Sequence, residues 1–445
     1  MPLTPPVISE FDPVVEAEGS VDPLLLQGVY ERLADRILPA LTVRMARPRF
    51  LTAMAVGAAV CADYDDEALA ADGLTPPWLA YEWLVMSAFA HCRDEVEARW
   101  GLPGIRKVET CQREKRPLSA AAYLKTPKVF GFHGIYKTLA SGLQILTEDM
   151  RLDDGGYALV RAWEKDQGLE GFLDSNSGQG AALRKDLRKA LNKTLAAGQV
   201  ERPIKRLSQA IVKRLDPERC GPREKKVLSH RLRMAEDIER PEDPQAVHMR
   251  RELIVALEQR DEGVHAEGEV ELFRELMKRG SDELRARLSA IDAFEALCRP
   301  IGEAFDLIRY LSTATPDGAV DAPLFAEGPL AAALADRVAT ACGRIEENER
   351  LLGWEPDTAD IVGGFKSAAG PADLFHAVLA HHQMSQQKKP PDGKRPWVET
   401  LKGDRVVVRA AYRAKAPPEG KLHYLHNYRM PTLSGFLYDL GRLSA

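Results

Sequence analysis

The chain has 445 residues, 45% of them hydrophobic and 29% charged, which is enough for two to four cores and too apolar for a disordered polymer. Its net charge of -5 and isoelectric point near 6.1 carry no overall nucleic-acid signal. Six cysteines without a C-x-x-C pair argue against a zinc ribbon or a disulfide framework. No 18-residue apolar run marks a membrane span, so a cytoplasmic protein with free, packed thiols is expected.

In chain order, the first 23 residues are proline-rich and acidic and lack the basic-then-apolar pattern of a signal peptide. Pro23–Leu41 places Leu26, Val29, Leu33, Ile37 and Leu41 at three- and four-residue spacings, which predicts an amphipathic helix. Pro77–Trp100 is apolar nearly all round and predicts a buried one. The stretch "GFHGIYKT" (Gly131–Thr138) differs from the phosphate-binding pattern G-x-x-x-x-G-K-[ST] only at Tyr136. A phosphate cradle needs close backbone approach there, a strand before it and an aspartate-ending strand after it. None is present, so a helix is expected, with Phe132, Ile135, Tyr136, Leu139, Leu143 and Leu146 inward. His133, Lys137, Ser141 and Gln144 are placed on its outer face.

A short helix (Ser119–Leu124), this second helix, a polar turn around Met150 and Leu152, and a closing helix with Leu159, Val160 and Trp163 inward together resemble a winged helix-turn-helix domain, over about residues 115–170. The resemblance implies that the outer face of the second helix meets duplex DNA. Lys125 and Lys128 would then lie near phosphates and Arg151 on the wing. A solvated helical hairpin is the plain alternative.

Residues 181–233 hold sixteen Lys and Arg against five acids, a local charge of +11 in a molecule of -5. Leu183, Leu187, Leu191 and Leu195 keep helical spacing, so Arg184, Lys185, Arg188, Lys189 and Lys193 are expected to project, followed by Lys205, Arg206, Lys213 and Arg214. Such segregation suits counterion-releasing contact with a phosphate backbone, and the lack of aromatic residues favours duplex over single strands. Otherwise it is a solvated face or one that meets an acidic protein. The helices from Glu252 to Arg309 alternate charge and read as a scaffold or partner surface; His265 among Glu267, Glu269 and Glu271 reads as a solvated edge.

Between Lys388 and Arg429 eleven Lys and Arg face four acids, and Asp404–Tyr412 is the clearest strand. His423, His426, Tyr428 and Arg429 lie close enough in sequence for acid–base or phosphodiester chemistry, and His381 or His382 could join them on a metal. The plainer alternative is a loop-rich module in which these groups pack.

The phrases "RPRFLTAMAVG" (Arg47–Gly57), "TPKVFGFHGIYKTLA" and "HNYRMPTLSGFLYDL" together resemble accessory proteins encoded beside helicases and ATPases in bacterial antiphage defence islands. That resemblance implies a DNA-sensing subunit of a larger complex and carries over no catalytic residue. The expected fold is therefore mainly α and multi-domain. It comprises a helical part (1–114), a winged-helix-like module (115–173), a basic helical segment (174–240), a helical scaffold (241–385) and a small mixed C-terminal module (386–445). The expected function is sequence-tolerant binding of double-stranded DNA among protein partners, with no cofactor, metal or membrane. A nuclease with a C-terminal His/Tyr/Arg site and a protein–protein adaptor are the rivals.

Overall fold

The computed structural model describes residues 22–92, 101–201, 204–233, 244–264, 268–348, 356–390, 392–420 and 423–444. The proline-rich N-terminus and the His265–Glu267 edge fall outside them. The chain is mainly α-helical and divides into two compact units, each assembled from separated stretches: residues 1–34 with 267–428, and 35–266 with 429–445. Helix α1 (Gln27–Ile37) runs across the division, and the five apolar residues that predicted it are all buried.

The unit of residues 35–266 forms around α2 (Phe50–Cys61) and α3 (Pro77–His91). Both are apolar on every side, so neither can face water and other helices must cover them. Helix α4 (Ile105–Arg113), the short α5 (Pro127–Phe130), α6 (Phe132–Gly142) and α7 (Asp154–Asp166) follow. Next come α8 (Gly178–Ala197), α9 (Lys205–Leu215), α10 (Pro222–Arg233) and α11 (Pro244–Arg260). Helices α4, α6, α8 and α9 all pack on α3, while α6, α7 and α8 pack on α2. At the α2–α3 crossing a Cβ on Gly57 would lie 2.6 Å from the Tyr81 ring, so the helices approach this closely only because residue 57 has no side chain.

The helix expected at Ser119–Leu124 is absent. Leu118–Ser119 form β1, paired antiparallel with β2 (Gln199–Val200), and a turn follows that carries Tyr123 inward. The polar turn after α6 does close on itself, with Leu146 bridging Leu152 and Met150 at φ 62°. Leu159, Val160 and Trp163 of α7 are buried, as their spacing predicts.

The other unit is organised on α13 (Asp282–Ala314), a 33-residue helix whose N-terminus is capped by Ser281, the hydroxyl accepting from the Leu284 N–H. Helices α12 (Glu269–Arg279), α15 (Pro329–Glu347) and α17 (Pro371–Gln387) pack against it, with α14 (Ala322–Ala326) and α16 (Pro356–Phe365) beside α17. A small antiparallel sheet has the order β3 (Ala319–Val320), β5 (Val406–Val408), β4 (Val398–Thr400). The predicted strand thus shrinks to three valines, and Ala410–Tyr412 turn into a 3₁₀ segment. Helix α18 (Met430–Asp439) belongs to the unit of residues 35–266. Among the described residues no helix is long and apolar enough to cross a membrane.

Candidate functional site

Glu82 stands alone as a charge in the apolar α3 and is fully buried. A buried carboxylate needs donors on all sides, and the 123–133 segment supplies them. The Tyr123 hydroxyl donates at 2.8 Å, the His133 backbone N–H at 3.0 Å, and the His133 Nδ1 lies at 2.8 Å. A Cβ on Gly131 would fall 2.1 Å from Glu82 Oε1, and one on Gly134 would fall 2.4 Å from the Lys128 carbonyl carbon. The glycines and the helix start of "GFHGIYKT" therefore serve internal packing. The position where a phosphate cradle would hold its anion is filled by Glu82. Tyr136 is buried against Phe50 and Phe436, its hydroxyl accepting from the Arg47 N–H.

This arrangement corrects the expected outer face of α6. His133 is 2% exposed, because Glu82 holds its ring inward. The helix ends at Gly142, so Gln144, at φ 53°, leaves the expected row and accepts from the Arg231 guanidinium. Ser141 is half-buried, while Lys125, Lys128 and Lys137 are exposed. Arg151 folds back on the 62–66 loop, donating to the Ala62 and Tyr64 carbonyls and pairing with Asp66 at 2.6 Å.

What the structure does bring together is a cleft of about 370 Å³. It is lined by Lys128, His133 and Lys137, by Asp65, Glu148 and Asp149, and by the Arg151–Asp66 pair, and Trp78 stands beside the His133 ring at 5.3 Å. His133 Nδ1 faces Glu82, and among the described residues Nε2 has no hydrogen-bond partner. An imidazole oriented by a carboxylate is a competent hydrogen-bonding or acid–base group. Cys61 also lines the cleft, and burial pushes its thiol up to about 12 despite Arg188 and Arg151 nearby. Sequence reasoning missed Glu82. Its signal was available as a lone carboxylate inside an otherwise apolar helix.

In the basic segment three of the expected projecting arginines are committed internally. Arg184 donates to the carbonyls of Phe172, Leu173 and Ser175; Arg188 to those of Ala59 and Val60, while pairing with Asp63; Arg214 to that of Gln167. These three arginines staple loops and do not project freely. Lys185, Lys189 and Lys193 are exposed at i, i+4 and i+8 of α8, one face of the helix, and Lys205, Arg206 and Lys213 are exposed on α9.

The C-terminal cluster is similarly committed. Glu295, buried in α13, accepts from the Leu425 N–H (2.7 Å), the His426 N–H (3.2 Å) and the Tyr428 hydroxyl (3.0 Å), and holds His426 Nδ1 at 2.8 Å. Burial, then Glu295, raises the Tyr428 hydroxyl well above its ordinary value. Arg429 belongs to the other unit and pairs there with Asp35 at 2.9 Å. Among the described residues no three His, Cys, Asp or Glu side chains gather as a metal site.

His381 Nε2 donates to the Leu24 carbonyl. His382 Nδ1 donates to the Pro23 carbonyl while its Nε2 accepts from the Trp397 N–H. A proton on Nε2 of His382 would break that last bond, and burial pushes this imidazole down to about 4. A pKa lowered in the folded state stabilises above the unfolded value of about 6.5 and is lost as pH falls toward 4, by up to about 1.4 kcal/mol per pH unit. Urea denaturation between pH 7 and pH 4 is expected to show this loss, and His382→Gln to flatten it by roughly one proton. Equal slopes for both proteins would remove His382 from the acid limb. No family model, curated protein or solved structure matches the chain.

Proposed function

We propose that the chain is a sequence-tolerant double-stranded-DNA-binding protein, an accessory or sensing subunit of a larger bacterial complex, with its contact surface on the lysine face of α8 and the start of α9. The observation that carries this reading is the row of exposed lysines on α8. Arg184, Arg188 and Arg214 are spent on internal carbonyls, while Lys185, Lys189 and Lys193 stand exposed in register, about 6 Å apart along the axis. Lys193, Ile204 and Leu207 line one groove of about 470 Å³, so the C-terminal half of α8 and the start of α9 face a common space. Flexible point charges without base-edge partners suit phosphate contact with little sequence readout. Helix α6, the 146–152 turn and α7 keep the order of a winged module within this proposal, with α6 turned inward instead of toward a groove. A role in antiviral defence rests on the sequence resemblance alone.

The test is fluorescence anisotropy with a random duplex over a salt series. The wild-type protein is expected to bind with a steep salt dependence, and the combined variant Lys185→Glu, Lys189→Glu, Lys193→Glu to lose about 3 from the log–log slope. Absence of duplex binding at low salt, or an unchanged slope in the variant, would refute it.

A further inference from the structure

We propose that the cleft beside His133 binds a nucleoside monophosphate, a phosphomonoester carried with an aromatic base, at a site separate from the α8 and α9 surface. His133 is buried and its Nδ1 is occupied by Glu82, so the ring presents one nitrogen, Nε2, that no described residue engages. With Nδ1 donating to the carboxylate, Nε2 accepts the hydrogen of a monoanionic phosphomonoester or, once protonated, donates to the dianion.

Lys137 follows one turn after His133 on α6. The missing side chain of Gly134 lets the Lys128 backbone close against the same turn. Both lysines line the cleft and are exposed, and no described residue pairs with them, so they supply the positive charge a phosphate needs. The backbone N–H of His133 is spent on Glu82, so recognition is by side chains and not by a backbone cradle. Trp78 offers an aromatic surface to a base.

The acids of the cleft select among phosphate compounds. Asp65, Glu148 and Asp149 accept hydrogen bonds from sugar hydroxyls and repel a longer polyanion, and about 370 Å³ suits one nucleotide.

Calorimetry on the full chain with AMP, adenosine, inorganic phosphate and ATP tests the assignment. AMP is expected to bind, with the other three at least about tenfold weaker. Lys137→Glu is expected to weaken AMP at least about tenfold without lowering the thermal midpoint, since residue 137 is exposed, and to leave duplex binding as it was. His133→Gln is expected to weaken AMP as well. Failure of AMP to bind at millimolar concentration overturns the proposal. So do phosphate or adenosine binding as tightly as AMP, and AMP affinity unchanged by Lys137→Glu. Loss of duplex binding with AMP binding intact would refute only the DNA reading.

Discussion

Glu224→Gln is expected to destabilise the protein by about 3–5 kcal/mol and lower its thermal midpoint by roughly 10 °C. Arg49, 1% exposed, lies just before α2. Its Nε and Nη2 each donate to a Glu224 carboxylate oxygen at 2.9 Å, and further bonds run to the Asp216 and Arg214 carbonyls. The guanidinium cannot give up its proton and cannot reach water, so losing the carboxylate charge strands a cation in the interior. The effect measures the cost of leaving one partner alone, not the worth of the pair. The double replacement Arg49→Met, Glu224→Leu is therefore expected to lose less than the single one. Differential scanning calorimetry of the three proteins checks this; a midpoint within about 2 °C of wild type for Glu224→Gln would mean the pair is solvated in solution.

Glu295→Ala is the counterpart in the other unit. It removes the acceptor of two backbone N–H groups, a tyrosine hydroxyl and an imidazole. Each buried donor left unpaired costs about 1–3 kcal/mol, and the vacated volume adds to that. The expected total is about 3–5 kcal/mol. Because both amides belong to residues 425 and 426, hydrogen exchange of the peptide covering 423–428 should accelerate more than that of β5. Uniform acceleration across α13 and the sheet would show instead that the loss is global. A retained slow rate at these amides would show that Glu295 does not hold the segment.

The helices with strong apolar periodicity were legible in the sequence. The buried residues of α1, the all-round apolar α3 and the inward face of α7 lie where their spacing places them, because a helix that cannot face water has few alternatives. The wrong assignments share one cause. Ser119–Leu124 reads as a helix by local pattern, yet Leu118 and Ser119 find strand partners at Val200 and Gln199, some 80 residues later. His133 and Gln144 read as an outer row, yet their side chains are claimed by Glu82 and Arg231. Polarity in sequence tells that a side chain needs a partner; it does not tell whether the partner is water or another residue.

The amino-acid sequence by itself determined the helical class, the free thiols and the gathering of positive charge into residues 181–233. These follow from composition and spacing, which act locally. Only the tertiary structure decided that residues 429–445 return to the unit of residues 35–266, that Arg184, Arg188 and Arg214 turn inward while Lys185, Lys189 and Lys193 stay in water, and that Lys128, His133 and Lys137 line one cleft. The physical reason is that burying a carboxylate such as Glu82, or satisfying a loop's carbonyls, selects whichever donor the folded chain brings within about 3 Å, and that distance is set by packing between segments far apart in sequence.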